Sequence, residues 1–263
     1  MTMDACKRLI EAVAREAGAL LLERLHDRHI VQYKGEINLV TEADRLSEAL
    51  IVERIRREFP GHDILTEESP ETANGSGFRW IIDPLDGTTN YAHGYPVSCV
   101  SIGVLKNGTP QLGGVYDPFR KELFLAQRDK GATLNGKRLG VSKTAIITDS
   151  LLITGFAYDR AERADYYLAR FKAFMKTCHD VRRSGSAALD MAWIAAGRAD
   201  GFWEYELNPW DVAAGSLLIK EAGGTVTDFN GDDWKDWRDM GKRTLASNGL
   251  IHASMLSILR RTR

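Results

Sequence analysis

The chain has 263 residues, with 35 Lys and Arg against 36 Asp and Glu and a formal net charge of −1. A protein that mainly neutralises nucleic-acid phosphates needs an excess of basic residues, so this balance argues against a nucleic-acid binder. Hydrophobic residues make up 44% of the chain, which is typical of a globular protein with a sizeable core. At this length, one large domain or two moderate ones are both possible.

Neither a membrane span nor a targeting segment is predicted. Charged residues interrupt every apolar stretch near the N-terminus, and the longest apolar run, residues 191–196, is far shorter than the ~18 residues that indicate a membrane helix. The three cysteines, Cys6, Cys99 and Cys178, are odd in number and lie far apart, which argues against disulfide scaffolds and zinc sites. We therefore expect a cytoplasmic protein.

Two amphipathic helices are predicted in the first 60 residues. Apolar residues recur at helical spacing through residues 1–27, with charged residues between them. A second helix should begin at Thr41, because the Thr41 hydroxyl can cap the helix while Asp44, three residues later, reaches back to the cap. Pro60 and Gly61 end this helix.

Strand patterns follow, and they differ between the two parts of the chain. The first part has short apolar runs and hairpins around Asn-Gly and Asp-Pro turns, which predict an antiparallel meander. In the second part strands alternate with helices, which predicts a three-layer α/β unit. We expect two closely packed subdomains, residues 1–145 and 146–263. The predicted strands are 64–66, 80–82, 97–105, 111–116, 122–126, 151–154, 201–204, 225–227 and 244–247, and the later helices are 163–177, 186–197, 211–222 and 251–260.

The acidic residues at strand ends and turns are the most informative feature of the sequence. An apolar strand runs directly into Asp83, and Asp86 follows three residues later, before a Gly-Thr-Thr that can open a helix. Two carboxylates at such a turn can share a hard cation, and a helix start can bind phosphate. A strand-end acid and an ordinary helix cap explain this pair equally well.

Two further acids occupy similar positions. Glu67 follows a predicted strand, and Asp211 lies at the start of an apolar helix. Taken alone, Glu67 is typical of an exposed acid and Asp211 of an N-cap. Together with Asp83 and Asp86 they place about four negative charges where α/β proteins gather ligands, and such charges cannot all stay ionised unaided. Two Mg²⁺ ions would balance the charge and supply the paired cations used in phosphoryl hydrolysis.

Two other enzyme classes have motifs that are similar to these, but the spacing of the residues in this sequence argues against both classes. The haloacid-dehalogenase-like phosphatases carry D-x-D-G-T, whereas residues 83–88 spell D-x-x-D-G-T, which moves the second acid off the face that strand alternation requires. Gly185-Ser186 lacks the G-x-S-x-G elbow of the serine hydrolases.

The order and spacing of the motifs resemble the inositol monophosphatase family, within the Mg²⁺-dependent, Li⁺-sensitive phosphatases that include the fructose-1,6-bisphosphatases. The resemblance covers essentially the whole chain. It rests on residues 38–44 (NLVTEAD), 66–69 (TEES), 83–90 (DPLDGTTN), 182–190 (RRSGSAALD) and 210–215 (WDVAAG). It implies a mixed α+β or α/β fold, a layered αβαβα sandwich that is usually a homodimer.

The resemblance also implies roles for individual residues. Thr88 and Asp44 match a hydroxyl–carboxylate pair near the water nucleophile, so that Glu67, Thr88 and Asp44 are the expected catalytic residues. The expected metal ligands are Glu67, Asp83, Asp86, Asp211 and the backbone carbonyl of Leu85. The expected substrate contacts are Asp86, Gly87, Thr88, Arg182, Gly185, Ser186, Ala187, Glu204 and Asp211.

The implied activity is hydrolysis of a phosphate monoester by metal-activated water, with two or three Mg²⁺ ions and no covalent phosphoenzyme. The residues after Gly87-Thr88 favour the inositol monophosphatase branch, so we expect inositol 1-phosphate as the first substrate. Histidinol phosphate and fructose 1,6-bisphosphate stay open, because Glu204 suits a polyol hydroxyl and a substrate ammonium equally. The alternative to an enzyme is a regulatory binding protein that has the same fold as the phosphatases. The complete set of metal-binding acids argues against this alternative.

Overall fold

The computed structural model describes residues 3–25, 32–34 and 38–262, and for residues 32–34 and 38–40 it describes only the backbone. The predicted N-terminal helix is observed as α1, Met3–Arg24. Its predicted residues 1, 2, 26 and 27 lie outside the described residues, as do the side chains of motif residues 38–40.

The described residues form seven α-helices and fourteen β-strands, which include all of the predicted helices and strands. The helices are α1 (Met3–Arg24), α2 (Glu42–Glu58), α3 (Thr88–Ala92), α4 (Ala164–Met175), α5 (Ala187–Ala195), α6 (Pro209–Glu221) and α7 (His252–Arg261). The strands are β1 (Gln32–Lys34), β2 (Asn38–Val40), β3 (Asp63–Thr66), β4 (Phe78–Asp86), β5 (Cys99–Lys106), β6 (Thr109–Asp117), β7 (Glu122–Gln127), β8 (Gly131–Leu134), β9 (Lys137–Arg138), β10 (Leu151–Thr154), β11 (Asp180–Arg182), β12 (Gly201–Tyr205), β13 (Thr225–Thr227) and β14 (Arg243–Ser247).

The first large sheet contains β3 to β9 in sequence order. The strands from β4 to β9 pair antiparallel, which confirms the predicted meander. Strand β3 differs because it pairs parallel with β4, and Thr66 lies opposite Ile82. The residues that follow this pair are Glu67 and Asp83, so the parallel register brings two of the predicted site acids to the same edge of the sheet.

The second sheet has the strand order β11-β10-β12-β14-β13. Strand β10 pairs parallel with both β11 and β12, whereas β14 pairs antiparallel with β12 and β13. The edge strand β11 was not predicted, because its sequence, Asp-Val-Arg, has a single apolar residue between two charged ones. The β1–β2 hairpin was not predicted either.

Five layers stack along the molecule. Helices α1 and α2 cover one face of the first sheet, α5 and α6 pack between the two sheets, and α4 and α7 cover the outer face of the second sheet. This is the expected αβαβα sandwich. The strands of the two sheets divide between Arg138 and Leu151, but α5 and α6 pack against both sheets. The division into subdomains at residue 145 stays a prediction.

Two glycines let helix α6 lie unusually close to the first sheet. A Cβ atom on Gly103 of β5 would come within 3.0 Å of the Ala213 Cβ, and one on Gly113 of β6 would come within 2.7 Å of the Ala214 carbonyl oxygen. Side chains at these positions would push α6 outward. Because Asp211 lies in the first turn of α6, this close packing sets the distance between Asp211 and the sheet edge.

Among the described residues, no helix is both long and apolar enough to cross a lipid bilayer.

Candidate metal centre and substrate pocket

Three carboxylates converge at the end of strand β4. Asp83 and Asp86 lie on either side of an irregularity in the β4–β5 pairing, and Asp211 comes from the first turn of α6. One carboxylate oxygen from each of the three lies within 4.8 Å of the others. The bend in β4 matters because regular strand alternation would place residues three apart on opposite faces.

Each of these acids has a carboxylate oxygen held by a hydrogen bond. The backbone N–H of Leu85 donates to Asp83 Oδ1 at 3.0 Å, and the backbone N–H of Asn208 donates to Asp211 Oδ2 at 2.7 Å. Asp86 Oδ2 accepts two hydrogen bonds, from Ser186 Oγ and from the Ala188 N–H, both at 2.7 Å. The carboxylates are therefore oriented by the fold before any ligand binds.

Burial and mutual repulsion make this cluster a strong attractor for cations. Burial raises the pKa of Asp83 well above its ordinary value, and the charges of Glu67, Asp86 and Asp211 raise it further. Desolvation also raises the pKa of Asp211, and the charges of Asp86 and Glu67 add to the effect. Carboxylate oxygens are the ligands that hard divalent cations prefer. The donor set fits Mg²⁺, because a divalent ion removes the repulsion that raises these pKa values.

Glu67 lines the same pocket from the loop after β3, although its carboxylate is not one of the three that lie within 4.8 Å of one another. Its charge acts on Asp83, as the pKa of Asp83 shows. The structure thus separates the four predicted acids into a group of three and a fourth that approaches Asp83 from β3.

Thr88 and Asp44 form the predicted hydroxyl–carboxylate pair. Thr88 Oγ1 lies 2.9 Å from Asp44 Oδ1 and 3.1 Å from the Leu85 carbonyl oxygen. The single hydroxyl proton therefore points to one of two acceptors, and the lone pairs of Oγ1 are left to accept a hydrogen bond from a neighbouring water. Asp44 is fully buried and also accepts hydrogen bonds from the N–H (2.8 Å) and the hydroxyl (2.5 Å) of Thr41, which confirms the predicted cap of α2.

Gly87 connects the metal-binding acids to helix α3. It has φ of +92°, a left-handed conformation that favours glycine, and a Cβ atom there would lie 2.9 Å from the Val97 carbonyl oxygen. This glycine allows the chain to turn from Asp86 directly into α3, so that Thr88 faces the pocket.

The pocket has a volume of about 310 Å³ and reaches from the acids to the start of α5 and the end of β12. It is lined by all of the predicted substrate residues except Arg182. Arg182 instead lies exposed at the end of β11 and forms an ion pair with Asp180. Its neighbour Arg183 lines the pocket, since successive side chains of an extended segment point to opposite sides. The arginine of the pocket is therefore Arg183, and not Arg182 as the sequence analysis expected.

Glu204 lies in the wall of the pocket and is 8% exposed. Its carboxylate occupies the space that a side chain on Gly155 would fill, so the glycine makes room for it. Burial raises the pKa of Glu204 to about 8; the charge of Arg183 lowers it and that of Asp86 raises it. A carboxyl group with this pKa can present either a proton or a charge to a substrate near neutral pH.

The Glu204→Gln variant is expected to remove part of the pH dependence of stability. Since the pKa of Glu204 is about 8 in the folded protein and 4.5 ordinarily, the folded protein keeps a proton that the unfolded chain loses. The free energy of unfolding of the wild type therefore falls as the pH rises from 4.5 to 8, by on the order of a few kcal/mol. Urea denaturation of both proteins in EDTA at pH 5 and pH 9 measures the difference. Equal losses in the two proteins would contradict this interpretation.

The sequence interpretation missed several residues that line the pocket. They lie mainly in the loop after β10, at the end of β12 and in the loop after β12: Phe156, Ala157, Tyr158, Arg160, Tyr205, Glu206, Leu207 and Asn208, together with Thr89, Asn90 and Trp210. A signal for the first loop was present, because β10 was predicted as a strand of an α/β unit, and ligands gather beyond the carboxyl ends of such strands. The same signal was present for the second loop, because β12 was also predicted as a strand of that unit.

Comparisons with known proteins point to the same family as the residues of the site. The sequence model of the Inositol monophosphatase family matches residues 3–262. An inositol-1-monophosphatase from Synechocystis is 50% identical over 234 residues, which cover 88% of this chain and 80% of that protein. Nus factor SuhB from Escherichia coli is 45% identical over 221 residues, which cover 83% of each protein. The structure of an inositol monophosphatase from Anabaena covers 100% of this chain and 98% of its own, with 45% identity and a TM-score of 0.90. The chain therefore belongs to the inositol monophosphatase family and is a phosphomonoesterase.

Proposed function

We propose that the protein is a Mg²⁺-dependent phosphatase whose first substrate is inositol 1-phosphate. The observation that carries the proposal is the convergence of Asp83, Asp86 and Asp211, beside Glu67, in one pocket that also contains Glu204. The acids suit divalent cations and a phosphate, and Glu204 suits the hydroxyl groups of a polyol. The 50% identity to an inositol-1-monophosphatase supports this substrate.

When bound, Mg²⁺ would polarise the phosphate and lower the pKa of a water molecule, as divalent ions do in other phosphatases. Asp83, Asp86, Asp211, Glu67 and the carbonyl of Leu85 are the residues that would hold two or three ions. Glu67 takes up the proton of the attacking water, and Thr88 orients that water by accepting a hydrogen bond from it, because the Thr88 hydroxyl proton is directed to Asp44 or Leu85. Asp44 keeps Thr88 in this orientation.

The alcohol part of the substrate is proposed to lie at the other end of the pocket. Gly185, Ser186 and Ala187 line it at the start of α5. Arg183 and Glu204 also line it, and the charge of Arg183 lowers the pKa of Glu204. The backbone N–H groups of Gly87 and Thr88 are proposed to contact the phosphate. Asp86 and Asp211, which lie between the two ends, are proposed to contact both the metal ions and the substrate.

The choice of substrate is tested by measuring phosphate release from inositol 1-phosphate, histidinol phosphate and fructose 1,6-bisphosphate, with Mg²⁺ and with EDTA. We expect hydrolysis only with Mg²⁺ and the highest kcat/KM for inositol 1-phosphate. A higher value for histidinol phosphate would mean that Glu204 binds a substrate ammonium. A higher value for fructose 1,6-bisphosphate would indicate a second phosphate site that includes Arg183.

A second candidate function is a role carried out through a protein partner. It is favoured by the 45% identity to relatives named Nus factor SuhB, a name that does not refer to phosphatase activity. Zero phosphate release from all three substrates with Mg²⁺ would favour this role over catalysis.

We also propose that the protein is a cytoplasmic homodimer. Light scattering coupled to gel filtration would measure the oligomeric state.

A further inference from the structure

Helix α2 presents a buried polar face to the metal centre. Asp44, Ser47 and Glu48 are spaced i, i+3 and i+4, so they lie on one side of the helix, and their exposed fractions are 0%, 0% and 4%. Acidic side chains are rarely buried to this extent unless they have specific partners. The proposed mechanism uses Asp44 but assigns nothing to Ser47 or Glu48.

Each of these three side chains bonds a different segment of the site. Asp44 accepts a hydrogen bond from Thr88, and Ser47 Oγ donates to the Pro84 carbonyl oxygen at 2.8 Å. Glu48 bonds the loop after β3: its Oε2 accepts from the Glu68 N–H at 3.0 Å, and its Oε1 accepts from the Ser69 hydroxyl. The polar face of α2 therefore holds Thr88, the Asp83–Asp86 turn and the loop that carries Glu67.

The bond from Glu48 to the Glu68 N–H controls the backbone of Glu67. This N–H belongs to the planar peptide unit between Glu67 and Glu68. The hydrogen bond that holds this peptide plane therefore also restricts the ψ angle of Glu67. On the other side of Glu67, Thr66 is held by its pairing with Ile82 in the sheet. The Ser69 N–H and the Thr66 hydroxyl lie 3.3 Å apart and close the turn between them. Glu67 is thus anchored by the sheet before it and by Glu48 after it.

We propose that Glu48 is a positioning residue, which orients Glu67 for binding a divalent cation. The proposal rests on the proposed role of Glu67 as a metal ligand. Glu48 does not itself bind the metal, and it acts through the two hydrogen bonds to the 67–69 loop. Residues that orient metal ligands typically change metal affinity by 10- to 100-fold when they are mutated.

The experiment is a calorimetric titration of the full chain with Mg²⁺, supported by the Mg²⁺ concentration that half-saturates phosphatase activity. Glu48→Ala removes both hydrogen bonds and is expected to weaken one Mg²⁺ binding event by about 10-fold or more, while the event that depends on Asp86 and Asp211 changes little. Glu48→Gln is expected to stay within about 3-fold of the wild type. Its amide oxygen can accept from the Glu68 N–H, and its amide N–H can donate to the Ser69 hydroxyl, which can turn to accept.

Ile55→Ala is the matched control for a general loss of stability. Ile55 is fully buried on the same helix and packs into the apolar core instead of the 67–69 loop. The truncation is expected to cost about 2–5 kcal/mol of stability without changing Mg²⁺ affinity, measured well below the melting temperature.

Three results would overturn the role of Glu48: unchanged Mg²⁺ binding in Glu48→Ala, equal weakening in Glu48→Gln, or equal weakening in Ile55→Ala. A failure of the proposed Mg²⁺-dependent function would give results different from these three. In that case the wild type would bind no Mg²⁺, or the Asp83→Asn variant would bind it as well as the wild type, and the role of Glu48 would fall with it.

Discussion

The Asp86→Asn variant is expected to lower kcat by at least about 100-fold while the protein remains folded. Asp86 Oδ2 is already engaged by Ser186 Oγ and the Ala188 N–H, and an asparagine carbonyl oxygen can keep both of these hydrogen bonds. The amide NH₂ group would then occupy the position of Oδ1. Because NH₂ carries no charge and cannot ligate a cation, the substitution removes a metal ligand with little change in shape.

The measurement is phosphate release from inositol 1-phosphate at saturating Mg²⁺, together with the melting temperature in EDTA. Asp129→Asn provides a matched control, since the Asp129 side chain is 90% exposed and lies outside the pocket. We expect this control to keep the activity of the wild type. If Asp86→Asn retained nearly full activity, the assignment of Asp86 as a metal ligand would be wrong.

Millimolar Mg²⁺ is expected to raise the melting temperature of the wild type by about 5 °C or more. A ligand at 100 times its dissociation constant adds about 2.7 kcal/mol to stability, and in a chain of this size each kcal/mol corresponds to roughly 2–4 °C. The Asp83→Asn variant should gain less from Mg²⁺, because the substitution removes an acid whose pKa is raised by the charges of Glu67, Asp86 and Asp211.

In EDTA the same variant should show the opposite effect and melt at a higher temperature than the wild type. The substitution removes a buried carboxyl group whose ionisation is opposed by burial and by the charges of Glu67, Asp86 and Asp211. Two opposite shifts from one substitution separate a metal site from a general defect in folding. The absence of any Mg²⁺-dependent shift in the wild type, or an equal shift in Asp83→Asn, would count against the cluster as a cation site.

Most of the secondary structure could be predicted because its signals are local. The Thr41–Asp44 cap and the Asn-Gly turns depend on residues a few positions apart, and these elements form where they were expected. The edge strand β11 could not be predicted, because its single apolar residue, Val181, gives no local signal and its pairing with the distant strand β10 holds it in the sheet.

The candidate acids could also be recognised locally, since each follows a strand or begins a helix. Their convergence could not. It depends on the parallel register of β3 against β4, on the irregularity between Asp83 and Asp86, and on the close approach of α6 that Gly103 and Gly113 permit. These are contacts between segments that are far apart in the chain.

Composition, turn dipeptides and the spacing of acids were enough to indicate a layered α/β protein with a cation-binding edge, because strand alternation, helix period and capping act over a few residues. The net charge of −1 gave no indication of the acidic cluster, because a net charge does not say where the charged residues lie. Packing alone decided that Arg183 and not Arg182 lines the pocket, that Gly155 makes room for Glu204, and that Glu48 holds the loop of Glu67. The direction in which a side chain points, and the groups that lie against it, depend on how distant elements meet.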